Sequence, residues 1–257
     1  MIPEQRRQKI IERLREDDIC SIDRLTEELG VSRITIQRDI NLLVGQGLAV
    51  KIHGGVQLKK TMETTIETRF NSRLKQKYEN KVKIAKKAIT FLKDSSIIFL
   101  DSSTTIYIFA KEIFKRNFVD LTIITNSPAI IFESMQYDKI KIISTGGELR
   151  VDFNMFAGSW VLDFLEKVNI NSAFISAAGI SPEGIITSNN RDLVNIIKEV
   201  FSRSLEVNLL VDSAKFQKSG MLNVGSLDGC RRVITDKNID KKLVKDNRLF
   251  KNTELIY

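Results

Sequence analysis

Apolar positions in the N-terminal part of the chain recur at helical spacing in three blocks. Ile10, Ile11 and Leu14 follow Pro3, a residue suited to a first helical turn, and predict a helix running to about Arg15. Ile22, Leu25 and Leu29 fall at i, i+3, i+7, and Ile36, Ile40 and Leu43 at i, i+4, i+7, so each block has one stripe to bury. Between them lies the corner Gly30-Val31-Ser32, where Gly30 can end one helix in the left-handed conformation and Ser32 can cap the next. Such a corner predicts the sharp turn of a helix-turn-helix. Residues 47–52 and Val56-Gln57-Leu58 then read as two short strands joined by His53-Gly54-Gly55, the hairpin of a wing. Past the wing, Met62, Ile66 and Phe70 at i, i+4, i+8 in a polar stretch predict a helical or semi-ordered connector.

From Tyr78 onward short apolar runs alternate with helical periods, the pattern of an α/β layer structure with mainly parallel strands. Strands are expected at 97–100, 121–125, 140–144, 173–177, 208–211 and 232–235, and helices at 80–91, 104–114, 128–135, 160–166 and 192–204. The fold class is therefore α/β, with an N-terminal winged helix-turn-helix domain over residues 1–58, a linker over 59–76 and a larger α/β domain over 77–257.

At 100° per residue, the face of the second helix opposite Ile36, Ile40 and Leu43 carries Ile34, Arg38 and Asn41. Thr35 and Gln37 flank it, and Ser32 and Arg33 stand at its leading end. Arg suits guanine edges, Gln and Asn suit adenine, and a Thr or Ile methyl suits thymine, so this face is a candidate reader of duplex DNA. The wing would lay Lys51 and His53 against phosphates.

In an open α/β sheet a ligand sits beyond the carboxyl ends of the strands. Here the first expected strand ends in Asp101-Ser102-Ser103-Thr104-Thr105 and enters a helix, which brings hydroxyls and unpaired N–H groups to a helix N-terminus and makes a candidate phosphate cradle. The next strands end in Asn126, in Gly146-Gly147 and in Asp212-Ser213-Ala214-Lys215, adding an amide, glycines for close approach and one cation. Helix capping alone is the bland reading of any one of these loops.

Charge changes the picture more than composition does. The net charge is +8, yet residues 94–257 hold 20 basic and 20 acidic groups, so the excess lies before residue 94. A basic N-terminal part beside a neutral remainder fits a polyanion-binding module joined to something else. The Lys-rich stretch 73–87 is read as solvated surface. Two cysteines, Cys20 and Cys230, make no disulfide framework, no His or Cys cluster has metal-site spacing, and neither a metal nor a cofactor is expected. With no apolar run of about 18 residues and a charged N-terminus, export and membrane insertion are not expected, which places the protein in the cytoplasm.

The segment VSRITIQRDINLL resembles the recognition-helix signature of the DeoR-type bacterial transcription regulators, and KIHGGV resembles their wing. The likeness continues through Leu100 to Thr105, Thr125-Asn126, Gly146-Gly147, Phe174 to Gly179, Asp212 to Phe216 and Ile234 to Asp236, in family order. It implies an effector domain similar to the ribose-5-phosphate isomerase and glucosamine-6-phosphate isomerase fold, used to sense a phosphorylated sugar. Three departures stand out: Gln37 replaces the first Arg of the recognition pair, Ser103 replaces a Gly, and Asn171 replaces an Asp that could act as a proton carrier in isomerase relatives.

The expected function is a DNA-binding regulator, a repressor of a sugar uptake or catabolism operon controlled by a phosphorylated sugar, with double-stranded operator DNA as partner and no catalytic residues. A homo-oligomer is expected, because paired domains gain effective concentration on two half-sites, with Leu222 to Leu227 or the apolar linker positions as candidate contacts. The enzymatic alternative, a sugar-phosphate isomerase with an N-terminal DNA-binding extension, would need a base near the rim, and Asp101, Asp212 and Glu148 are the candidates.

Overall fold

The computed structural model describes residues 2–17, 19–52, 54–58, 70–137, 140–245 and 248–257. The chain divides into two compact units, Met1–Thr68 and Arg69–Tyr257.

The first unit is a three-helix winged fold. Helices α1 (Pro3–Asp17), α2 (Ile22–Leu29) and α3 (Arg33–Gly45) bury Ile10, Leu14, Leu25, Ile36, Ile40 and Leu43 in one core, as their spacing requires. Gly30 sits at φ 63 and donates its N–H to the Thr26 carbonyl at 3.0 Å, closing α2. An added Cβ there would meet nothing within 4 Å, so the backbone angle alone asks for glycine. Ser32 caps α3 by accepting from Thr35 N–H at 3.3 Å. The wing strands are β2 (Ala49–Ile52) and β3 (Gly55–Leu58), antiparallel, with Lys51 opposite Val56. A third strand, β1 (Ile19–Ser21), pairs with β3 and gives the order β1-β3-β2. Three residues carry too little period to announce a strand; Cys20, buried within it, is the one trace the sequence holds. The wing residue His53 and the linker positions Met62 and Ile66 lie outside the described residues.

The second unit is built on a seven-stranded, wholly parallel sheet in the order β15-β14-β12-β9-β4-β5-β6. Its strands are β4 (Ile97–Leu100), β5 (Thr122–Thr125), β6 (Lys141–Ser144), β9 (Ile170–Ile175), β12 (Ser204–Leu210), β14 (Arg232–Ile234) and β15 (Glu254–Ile256). Helices at Tyr78–Ala88 and Thr104–Phe114 cover one face with Ile84, Phe109 and Ile113, while Ser159–Leu165 and Arg191–Arg203 cover the other with Val161, Ile197 and Val200. Both faces being buried explains why the central strands read as unbroken apolar runs. The chain winds outward from β4 to β5 and β6, then returns to lay β9 on the other side of β4. The switch point of the sheet is thus the crevice between β4 and β9, where ligands sit in such folds.

Two small sheets complete the unit: a hairpin of β7 (Glu148–Arg150) and β8 (Met155–Ala157), and an antiparallel sheet of β10 (Gly179–Ile180), β11 (Ile185–Ser188) and β13 (Leu222–Ser226). The run Leu222 to Leu227, one of the candidate subunit contacts, supplies β13, an edge strand of this small sheet, with Val224 and Leu227 buried in the core.

Candidate functional site

In the first unit, α3 presents Ile34, Gln37, Arg38 and Asn41 to solvent, while Ile36, Asp39, Ile40 and Leu43 face inward. Ser32 and Thr35 share a hydroxyl hydrogen bond of 2.8 Å at the leading end. Arg33 pairs with Asp23 of α2 on the surface, an exposed contact that a phosphate can compete for. Lys51 is exposed on β2. Among the described residues the face opposite the core stripe is therefore exposed, and it carries donors and acceptors for base edges.

In the second unit the crevice between β4 and β9 opens into a cavity of about 720 Å³. Asp101, at the end of β4, spans the crevice: its two carboxylate oxygens accept the N–H of Ser103 and the N–H of Ser176, each at 2.7 Å. Burial pushes the Asp101 carboxyl above the usual carboxylate range, against those two N–H groups, which pull it down. With both oxygens occupied, Asp101 shapes the loop. Ser102, Ser103, Thr104 and Thr105 line the cavity behind it, and Ser103 caps the helix Thr104–Phe114 by accepting from Ile106 N–H at 3.3 Å. The first N–H groups of a helix have no intrahelical partner, so this end of the cavity favours an anion. The Ser103 departure thus supplies a cap.

The cavity brings Asp101 to Thr105 together with Lys215. It leaves Asn126, Gly146 and Gly147 outside the described lining, because β5 and β6 lie on the far side of β4 from the switch point. Two of them have local tasks, Asn126 and Gly147. Asn126 holds β8: its carbonyl accepts from Phe156 N–H at 2.8 Å and its side-chain amide donates to the Phe156 carbonyl at 3.3 Å. Gly147, at φ 104, lies so near the chain that a Cβ would stand 2.6 Å from the Ala157 carbonyl oxygen and from Val161.

Four cationic side chains in the cavity wall were not singled out from the sequence: Arg73, Lys77, Lys81 and Lys218. Reading 73–87 as solvated surface holds for Arg73, Lys75, Lys77, Lys83 and Lys86, which are exposed, and is corrected at Lys81. Lys81 is buried, and its ammonium donates to the Arg73 carbonyl. Burial, with Lys215 and Arg73 adding and Asp212 opposing, brings the Lys81 ammonium down to about 8. Lys77 pairs with buried Asp212 at 2.8 Å. The signal available in sequence was helical phase: Lys81 falls three and four residues before Ile84 and Ala85, on the buried side of its helix. Asn171 stands at the opposite end of the sheet, where its side chain accepts from Ile97 N–H at 2.7 Å. Its identity therefore bears on strand pairing, not on a proton carrier at the rim.

A winged helix-turn-helix with a free reading face, on one chain with an α/β unit holding a cation-lined cavity at its switch point, defines a ligand-responsive DNA-binding regulator. The chain belongs to the DeoR family: residues 6–62 match the DeoR-like helix-turn-helix domain and residues 76–237 the DeoR C terminal sensor domain. It is 28% identical over 232 residues to the L-fucose operon activator of Escherichia coli K12, covering 90% of this chain and 94% of that one. To the glycerol-3-phosphate regulon repressor of the same organism it is 30% identical over 232 residues, covering 90% of each. Ribose 5-phosphate isomerase A from Methanocaldococcus jannaschii is 22% identical over 54% of each chain, with a TM-score of 0.40. The family is one of transcription regulators, so the isomerase alternative gives way. Among the described residues, no helix is long and apolar enough to cross a membrane.

Proposed function

We propose that this regulator represses an operon for sugar uptake or catabolism, in the cytoplasm and as a homo-oligomer, and that a phosphorylated sugar in the switch-point cavity controls it. The observation that carries the reading is the balance of charge around the cavity: Arg73, Lys77, Lys81, Lys215 and Lys218 against Asp101 and Asp212. Asp101 is committed to two backbone N–H groups and Asp212 to Lys77, so an anion entering beside Thr104 meets cations and helix N–H groups. A cavity of about 720 Å³ is ample for a small phosphorylated sugar with a few waters. The names of the two curated relatives, a fucose operon activator and a glycerol-3-phosphate regulon repressor, support the sugar-related class.

The test is a thermal-shift and calorimetric panel of ribose 5-phosphate, glucose 6-phosphate, fructose 1-phosphate and glycerol 3-phosphate, each beside its unphosphorylated form. A ligand present at about 100 times its Kd stabilises the native state by about 2.7 kcal/mol. One or more phosphorylated members should raise the melting temperature while the partner compounds do not. Equal response to both forms would refute a phosphate-reading site.

A further inference from the structure

Asp39 lies in the recognition helix next to Arg38, and it is almost wholly buried, at 2% exposure. At 60° from Ile36 around α3, it sits at the margin of the core stripe, where Leu would pack without an electrostatic penalty. A carboxylate there has to give up its water, and the structure shows what replaces it. Arg6 of α1, itself 8% exposed, places its Nε 2.5 Å from Asp39 Oδ2. Arg7 places a guanidinium nitrogen 3.5 Å from Oδ1 and holds Glu4 at 2.8 Å with another. The two arginines are neighbours on α1 and point about 100° apart, so they straddle the carboxylate and hold both of its oxygens.

We infer that the Arg6–Asp39–Arg7 clamp is a specificity device: it fixes the rotation and axial position of α3, and so aims Arg38 and Asn41 at base edges that Asp39 itself never touches. Apart from the exposed Arg33–Asp23 pair to α2, which solvent and salt screen, the remaining contacts of α3 with its domain are apolar, through Ile36, Ile40 and Leu43, and such contacts are non-directional. A turn of about 20° about the helix axis would carry a side-chain tip about 5–6 Å from that axis sideways by about 2 Å. That displacement leaves the core buried but removes a bidentate hydrogen bond to a base. A buried ion pair is a poor source of stability relative to an apolar pair of similar volume, which leaves register as its contribution. Asp39 is thus a positioning residue for DNA readout.

The test replaces the pair as a unit in the full-length chain, Arg6→Met with Asp39→Leu. Duplexes are first selected by the wild-type protein from a random 20-base-pair library, and binding of the selected duplex and of a scrambled one is read by fluorescence anisotropy. The double variant should melt at or above the wild-type temperature and bind the scrambled duplex within about twofold of wild type. Its preference for the selected duplex should fall by about tenfold or more, the discrimination one good bidentate contact provides. Arg7→Gln, which removes one of the two grips, should keep the melting temperature and lose a smaller part of the preference, about threefold. A double variant with wild-type preference would overturn the inference, and so would one that no longer folds, since the pair would then be holding the domain together instead of aiming it.

Discussion

Arg38 projects from α3 on the side away from Ile36, Ile40 and Leu43, and is exposed with nothing of its own domain between it and solvent on that face. Arg38→Ala should therefore weaken specific operator binding by about 1–3 kcal/mol and relax base preference at one position. Lys51→Ala on the wing should weaken all duplexes alike and reduce the salt dependence, as loss of a phosphate contact does. Competition binding of selected and random duplexes separates the two, and an Arg38→Ala protein with undiminished discrimination would refute the assigned face. In the cavity wall the corresponding residue is Lys81. Its ammonium titrates at about 8, below the ordinary lysine value, because burial disfavours the charged form. An anion bound nearby favours that charged form, so binding takes up a proton near and above pH 8 and affinity for a sugar phosphate should fall as pH rises through that region. For stability the sign is opposite: the unfolded chain binds the proton more tightly than the folded one, so Lys81 contributes stability that grows between about pH 8 and the ordinary lysine value of 10.5. Calorimetry between pH 6.5 and 9.5 should show the affinity loss in the wild type and a flatter profile in Lys81→Met.

Elements were legible wherever their period was long enough to be unambiguous. The helix Thr104–Phe114 appears where its helical period put it, and the strand Ile97–Leu100 where an unbroken apolar run put it. The five other strands expected for the large sheet also form, with ends displaced by up to four residues: β12 begins at Ser204, ahead of the apolar core of the run. The elements the sequence hid are β1, β7, β8, β10, β11, β13 and β15, short strands with two to five residues. Outside the large sheet, or at its edge as for β15, a strand is not required to be the apolar run that burial on both faces demands, and it exists because a neighbour supplies hydrogen bonds. The same logic divides the candidate site. Asp101 to Thr105 were legible because strand, cap and helix follow one another in the chain; Lys77 and Lys81 reach the cavity from a separate helix, so their membership depends on tertiary packing. Gly30 tests the local part of the code. Gly30→Ala meets no steric obstacle but must adopt a left-handed backbone, so it should destabilise the DNA-binding domain by about 1–2 kcal/mol. Urea denaturation of the full chain with a probe in the first unit measures this, and an unchanged midpoint would show that the corner can be closed in another geometry.

At the scale of the whole molecule, a ligand in the sensor domain alters DNA affinity only by binding the DNA-competent and DNA-incompetent arrangements with different strength, and the coupling is reciprocal. The cavity wall includes Arg73, Gln76 and Lys77, which belong to the stretch of chain leading back toward the DNA-binding unit, and Phe70 of the same stretch packs edge-on against Tyr107 at 5.5 Å between ring centroids. Tyr107 lies one helical turn beyond Thr104 and Thr105, so an anion bound there, as proposed, would bear on the helix against which Phe70 packs. If the hydroxyl of Thr104 and the ammonium of Lys215 grip that anion, removing both should disconnect sensing from reading. Thr104→Val with Lys215→Ala should leave operator affinity without ligand nearly unchanged, because neither residue touches DNA in the proposed arrangement, and should abolish the shift caused by the cognate sugar phosphate. Fluorescence anisotropy with a labelled operator duplex, with and without the sugar phosphate identified by the thermal panel, reads both quantities in one titration series. A double variant that keeps its full response would place the sensor elsewhere, and one that loses DNA binding without ligand would mean that these two residues hold the fold. Reciprocity supplies the control: operator DNA should change wild-type affinity for the sugar phosphate by the same factor by which the sugar phosphate changes affinity for DNA.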